Sequence, residues 1–121
     1  MLLVRKAGSR AFMQPGGKPE AGEQELVTLA REIQEELGCR IKAESARFIG
    51  RFSAPAVNEP GYVVEASVYM VQTQGTLRPE REIEEIAWLE LDSPCALVLA
   101  PLTEHLILPA VRGEGLGGQS A

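Results

Sequence analysis

The chain is poor in the residues that most often announce a function. It has one histidine and two cysteines among 121 residues, and aromatics make up only 5 %. The two cysteines, Cys39 and Cys95, are too few for the disulfide framework of a small secreted scaffold. They read as apolar fillers in a reducing compartment, with a single Cys39–Cys95 bridge as the alternative. No apolar run approaches the roughly 18 residues that a membrane helix needs, and Met1-Leu2-Leu3-Val4 is too short for a signal peptide. A cytoplasmic protein with no membrane partner is the expectation. An excess of base is missing too. The net charge of −5 argues against a partner that is a nucleic-acid polymer, which would want a basic face. It leaves a small phosphorylated substrate open, because a bound divalent metal inverts the sign locally.

Against that background the composition is ordinary, with 45 % apolar and 24 % charged residues. The length suits one domain and is too short for two. The expected domain covers residues 1–112, followed by a flexible glycine-rich tail at 113–121.

Charge is concentrated in one place. Residues 17–39 read GKPEAGEQELVTLAREIQEELGC. Glu32, Glu35 and Glu36 fall at i, i+3 and i+4, so a helix puts them on one narrow face. Leu26, Leu29, Ile33 and Leu37 form an adjacent apolar stripe that can pack on a core. Like charges at this spacing repel by about 0.2–0.5 kcal/mol per exposed pair. Arg31 is the only base inside the helix, so a further cation is expected. Clustered hard oxygen ligands suit Mg2+ or Mn2+ better than zinc. The bland alternative is a solvated acidic face on a surface helix.

The flanks favour the first reading. Phe12-Met13 reads as a strand entering the tight loop Gln14-Pro15-Gly16-Gly17, where a ligand can approach main-chain groups. Glu20 and Glu23 sit at or before the helix start, which the helix dipole favours, and Gly38 reads as its stop. Position by position, the stretch resembles the signature of the Nudix hydrolases: Gly, five residues, Glu, seven residues, then Arg-Glu-apolar-x-Glu-Glu-x-Gly-apolar. The matching residues are Gly17, Glu23, Arg31, Glu32, Ile33, Glu35, Glu36, Gly38 and Cys39. Seven fixed identities at about 7 % usage each coincide by chance at roughly one start position in 10^8, so the solvated-face reading gives way. Cys39 departs mildly from the pattern, which usually has a larger aliphatic residue there.

The resemblance implies an α/β fold (α+β in its segregation of elements), an α/β/α sandwich around a mixed sheet. It implies a pyrophosphohydrolase that cleaves a nucleoside diphosphate linked to another moiety, by attack of water on phosphorus. The substrate would be a nucleoside triphosphate, an oxidised nucleotide, ADP-ribose or a nucleotide sugar. The alternative from another class is a Nudix-fold module that binds a nucleotide without cleaving it. Such chemistry needs positioning and neutralisation of phosphate charge, for which Mg2+ or Mn2+ is the implied cofactor. Residue by residue, Glu32, Glu35 and Glu36 carry over as metal ligands together with the carbonyl of Gly16. Gly17, Glu23, Arg31 and Gly38 carry over as supports of the motif. Family members often have an acidic residue near the metals in a loop resembling Arg81-Glu82-Ile83-Glu84-Glu85, so Glu82 and then Glu85 are candidate bases or extra ligands.

Substrate-binding candidates are Lys18 beside the glycines, Arg5 and Arg51 on strands, and Asn58-Glu59 in a proline-rich loop. Trp88 reads as core, and His105 as a surface or packed side chain. Strands are expected at residues 2–4, 12–13, 46–52, 61–72 and 86–91, with helices over 24–37, from 92, and over 101–112 with Pro109 ending or kinking the last. Nudix domains usually have a complete further strand before the hairpin that leads into the glycine loop, whereas only Met1 to Lys6 stands there in this sequence. The expectation is a sheet lacking its first strand, and a homodimer that covers residues 1–6 or the exposed edge.

Overall fold

The computed structural model describes residues 1–55 and 60–113. Along the chain run β1 (Leu2–Lys6), β2 (Phe12–Met13), α1 (Glu25–Leu37), β3 (Arg40–Pro55), β4 (Val63–Gln74) and β5 (Ile83–Trp88). A last helix, α2, spans residues 101–113 and contains a π-helical turn over Thr103–Ile107.

Alternation in β1 organises the centre. Its side chains point to opposite faces in turn. Leu3 packs with Phe12, Leu89, Leu99 and Leu108 in one core cluster. Val4 packs with Ile33, Leu37, Cys39 and Ile83 in the other. The first cluster includes α2 and the second α1, so the sheet lies between the helices. β1 pairs antiparallel with β2 on one side and β5 on the other. Phe12 also forms a parallel bridge with Leu99, which makes the sheet mixed. The result is the expected α/β/α sandwich.

The expectation of a bare edge at residues 1–6 is corrected, because β1 is hydrogen-bonded along both sides. A long antiparallel hairpin, β3–β4, packs its β3 strand on α1. Among the described residues no helix is long and apolar enough to cross a membrane, and Cys39 and Cys95 are both free thiols.

α1 begins and ends for visible reasons. Glu23 ties the preceding loop to its first turn: Oε1 accepts from the Thr28 hydroxyl at 2.8 Å and from the Glu20 N–H at 2.9 Å. Gly38 closes the helix in the left-handed conformation, φ 66°, which glycine adopts without a Cβ penalty. The N–H groups of Arg78 and Glu80 then reach the carbonyls of Leu37 and Glu36, both at 2.9 Å, and meet acceptors that a helix end leaves over.

Several element boundaries differ from the sequence reading. β3 starts six residues before Ala46, because Ser45 bridges a bulge: its hydroxyl donates to Lys42 O at 2.6 Å and accepts the Gln72 N–H at 2.8 Å. β5 is shifted towards the N-terminus, since Ile83 is buried opposite Lys6. No helix starts at residue 92. Cys95, Leu97 and Leu99 turn inward at every second position while Val98 points out, a strand-like period that lays this segment along Phe12. Pro109 does not end α2. The π turn directly before it, closed by the Leu108 N–H on Thr103 O, takes up the change of register. Trp88 is 68 % exposed at the end of β5 rather than in the core.

Candidate active site

The loop before α1 is drawn onto the helix by two contacts. The Gly16 N–H donates to Glu36 Oε1 at 3.0 Å. Gly17 passes so close to Glu32 that any Cβ there would overlap its carboxylate. A larger residue at 17 would have to displace the Glu32 carboxylate from its bond with Arg31, which gives this glycine a packing reason in addition to its flexibility.

Arg31 is the hub of the face. Its guanidinium holds Glu23 through Nε and Nη2, both at 2.9 Å, and Glu32 through Nη1 at 2.7 Å. Nη2 also donates to the Lys18 carbonyl at 3.0 Å, and Glu35 Oε2 lies 3.7 Å from Nη1. These hydrogen bonds, Arg31's first, hold the Glu23 carboxyl down to about 2. Glu23 reciprocally raises the affinity of Arg31 for its proton.

Glu36 has the opposite environment. The residue is 3 % exposed. Burial pushes its carboxyl above the ordinary carboxylate range, and the charges of Glu32 and Glu82 push the same way. The Gly16 N–H and the Lys6 ammonium oppose that shift.

Lys6 is a site residue that the sequence reading missed. Alternation along β1 puts it on the same face as Leu2 and Val4, which is the α1 face, and that signal was available. The register with β5 shifts beside it, so that Glu84 is passed over and Lys6 lies opposite Ile83. Its Nζ stands 3.7 Å from Glu82 Oε1, and the Ala7 N–H bonds Glu82 O at 2.7 Å. Arg81, the residue before, holds φ 52°, a conformation side chains seldom adopt. Glu82 thus lies within electrostatic reach of Glu36.

Glu85 does not. It pairs with Arg5, at 3.2 Å from both Nε and Nη2, while Glu84 takes Nη1 at 3.4 Å. Arg5 lies over the Phe12 ring, on the α2 side of the sheet. Neither Arg5 nor Glu85 therefore joins the α1 face. Arg51 bonds Ser67 and Glu25 and lies 3.5 Å from Glu65, beside the start of α1. The Ser67 and Tyr69 hydroxyls hold the Glu25 carboxyl below its usual range. Lys18 has an exposed side chain. Asn58, Glu59 and residues 114–121 of the expected tail lie outside the described residues, and His105 is exposed in the π turn.

A glycine loop, a buried carboxylate and two further carboxylates now stand on one helix face in the order the motif demands. A sequence model of the NUDIX domain matches residues 1–107. The chain belongs to the Nudix family. A MutT NUDIX hydrolase from Burkholderia pseudomallei is 25 % identical, with 91 % of this chain and 86 % of that one covered and a TM-score of 0.78. The mMutator MutT protein from Bacillus halodurans is 25 % identical over 92 % of this chain and 72 % of its own, with a TM-score of 0.73. The E. coli ORF135 protein shares the fold at 24 % identity, covering 96 % of this chain and 81 % of its own with a TM-score of 0.78. Nudix proteins are hydrolases of pyrophosphate bonds in small nucleotide substrates and generally use divalent metal ions.

The donor set of this Nudix face fits such an ion in its chemistry. Glu36 is a carboxylate kept from water beside further negative charge, the environment a hard cation complements. The side chains are not yet gathered. Among the described residues no three acidic, histidine or cysteine groups converge on one point, and Arg31 engages Glu32 and Glu35 instead. A cation bound here must compete with that guanidinium.

Proposed function

We propose that this Nudix protein is a metal-dependent pyrophosphohydrolase. It cleaves a nucleoside diphosphate linked to another moiety, by attack of water on phosphorus, and releases a nucleoside monophosphate. The observation that carries the reading is Glu36, buried and hydrogen-bonded to the Gly16 N–H, with Glu32 and Glu82 bearing on it. Glu32, Glu35 and Glu36, with the Gly16 carbonyl, are the groups that would hold Mg2+ or Mn2+. A divalent cation there supplies neutralisation of diphosphate charge and an electrophilic centre for hydrolysis.

The protein's own groups do the rest. Arg31 and Glu23 keep the helix start and the glycine loop in register. Glu82 accepts a proton from the attacking water, held near the face by its backbone bond to Ala7 and its pair with Lys6. Lys18, exposed beside the glycines, meets a phosphate of the substrate. A nucleoside triphosphate, an oxidised nucleotide, ADP-ribose and a nucleotide sugar are the substrate classes this reading covers. A homodimer through a free sheet edge belongs to the same proposal.

The test is phosphate or monophosphate release over a panel of those four substrate classes, with Mg2+, with Mn2+ and with chelator. Metal-dependent release of a nucleoside monophosphate from at least one class is expected. Tight binding of a nucleotide without turnover in either metal would contradict the hydrolase reading and leave a binding module.

A further inference from the structure

The loop at residues 14–17 is held from the α1 side by Glu36, and one partly buried contact holds it from the other side. Thr103, in α2, is 0 % exposed, and its hydroxyl donates to Gln14 Oε1 at 2.6 Å. A threonine inside a helix commonly turns its hydroxyl back to the carbonyl four residues earlier. Thr103 reaches out of its helix to Gln14 instead. It opens the π turn Thr103–Ile107, and the added residue of such a turn re-aims the side chains it carries.

From Gln14 the chain passes through Pro15, whose ring fixes φ, to Gly16 on Glu36 and Gly17 against Glu32. The contacts form one line across the sheet, from Thr103 through Gln14 and the glycine loop to the carboxylates of α1.

We propose that Thr103 is a positioning residue for the carboxylate face. Through Gln14 it sets where Gly16 and Gly17 stand over Glu36 and Glu32, and so the geometry in which those carboxylates take a divalent cation. The inference rests on the metal-dependent reading above. Thr103 touches neither substrate nor metal.

Three variants of the full chain test it. Thr103→Val removes the hydroxyl at nearly constant volume, Thr103→Ser keeps the hydroxyl, and Gln14→Met removes the acceptor without altering α2. Two quantities are read without nucleotide: the amide resonances of Gly16 and Gly17 in the metal-free protein, and the affinity for Mn2+. Thr103→Val and Gln14→Met should both move the two resonances and weaken Mn2+ binding about tenfold, the lower end for partners that orient metal ligands. Thr103→Ser should stay close to wild type in both. Should Thr103→Val not fold, Gln14→Met carries the same test alone. Unmoved Gly16 and Gly17 amides in a folded variant overturn the proposal, as does a Thr103→Ser protein as impaired as Thr103→Val. Moved amides with unchanged Mn2+ affinity overturn the metal role of Thr103 alone. A wild type that binds no Mn2+ overturns the metal reading itself.

Discussion

Glu23 and Glu36 are the same side chain pulled in opposite directions by their surroundings. Hydrogen bonds from Arg31 and its neighbours hold Glu23 down to about 2, from an ordinary value of 4.5. A depressed folded value contributes stability that is present above about 4.5 and lost as pH falls towards 2. Glu23→Gln should remove that part of the acid sensitivity, seen as a flatter loss of folded protein across this window in an acid titration. Glu36 is raised instead, chiefly by burial. The folded state therefore disfavours its charge, and the cost appears as pH rises above the ordinary 4.5. Glu36→Gln keeps an acceptor for the Gly16 N–H and removes the charge. Thermal melts without metal should show Glu36→Gln more stable than wild type at pH 7, with the difference closing near pH 4. The same variant should lose the stabilisation by Mg2+ that the wild type is expected to show. A less stable metal-free Glu36→Gln would contradict this account of the residue.

At the scale of elements, the loop from Gly75 to Glu82 is fastened to α1 by the Arg78 and Glu80 N–H groups and delivers Glu82 to the α1 face. Glu84 and Glu85 turn to Arg5 on the other face of the sheet. Glu82→Gln should lower kcat by about 10^2-fold with little change in KM, in the range of a lost general base. Glu84→Gln should change neither, and equal small effects would return the loop to a structural role. α1 and the glycine loop were legible in the sequence because both rest on local rules: i, i+3, i+4 spacing, an apolar stripe and a glycine stop. The strand ends were not. Lys42-Ala43-Glu44-Ser45 has no strand pattern, and the Ser45 hydroxyl bonds across the bulge where the register shifts. The segment from residue 92 has a helix-start look in Asp92-Ser93-Pro94, yet Arg112 reaches the Leu91 and Ser93 carbonyls and the segment runs extended to Phe12. Proline's local rule ends a helix at Pro109, and a π turn directly before it is not a pattern that rule anticipates. The pairing of Arg5 with Glu84 and Glu85 could not be read from residues so far apart in the chain.

At the scale of the molecule, the two sheets meet solvent differently. β1 is protected on both sides, whereas among the described residues β3 and β4 pair only with each other. Near the hairpin tip Tyr62 is 67 % exposed and Val63 65 %. An apolar edge of this kind invites pairing, which natural proteins usually prevent or use. Sedimentation at micromolar concentration should find more than the 13.1 kDa single chain, and Val64→Lys should return it to monomer. A clean monomer in the wild type would sink the dimer.

The central claim is that the α1 carboxylates hold a divalent cation for hydrolysis, and Glu35→Gln tests it most directly. Glu35 is partly exposed within a like-charged cluster, so removing its charge should cost the fold little. With the substrate found in the panel and saturating Mg2+, the account predicts a folded variant whose kcat falls by about 10^2-fold or more. Near-normal turnover by a folded Glu35→Gln protein would contradict it.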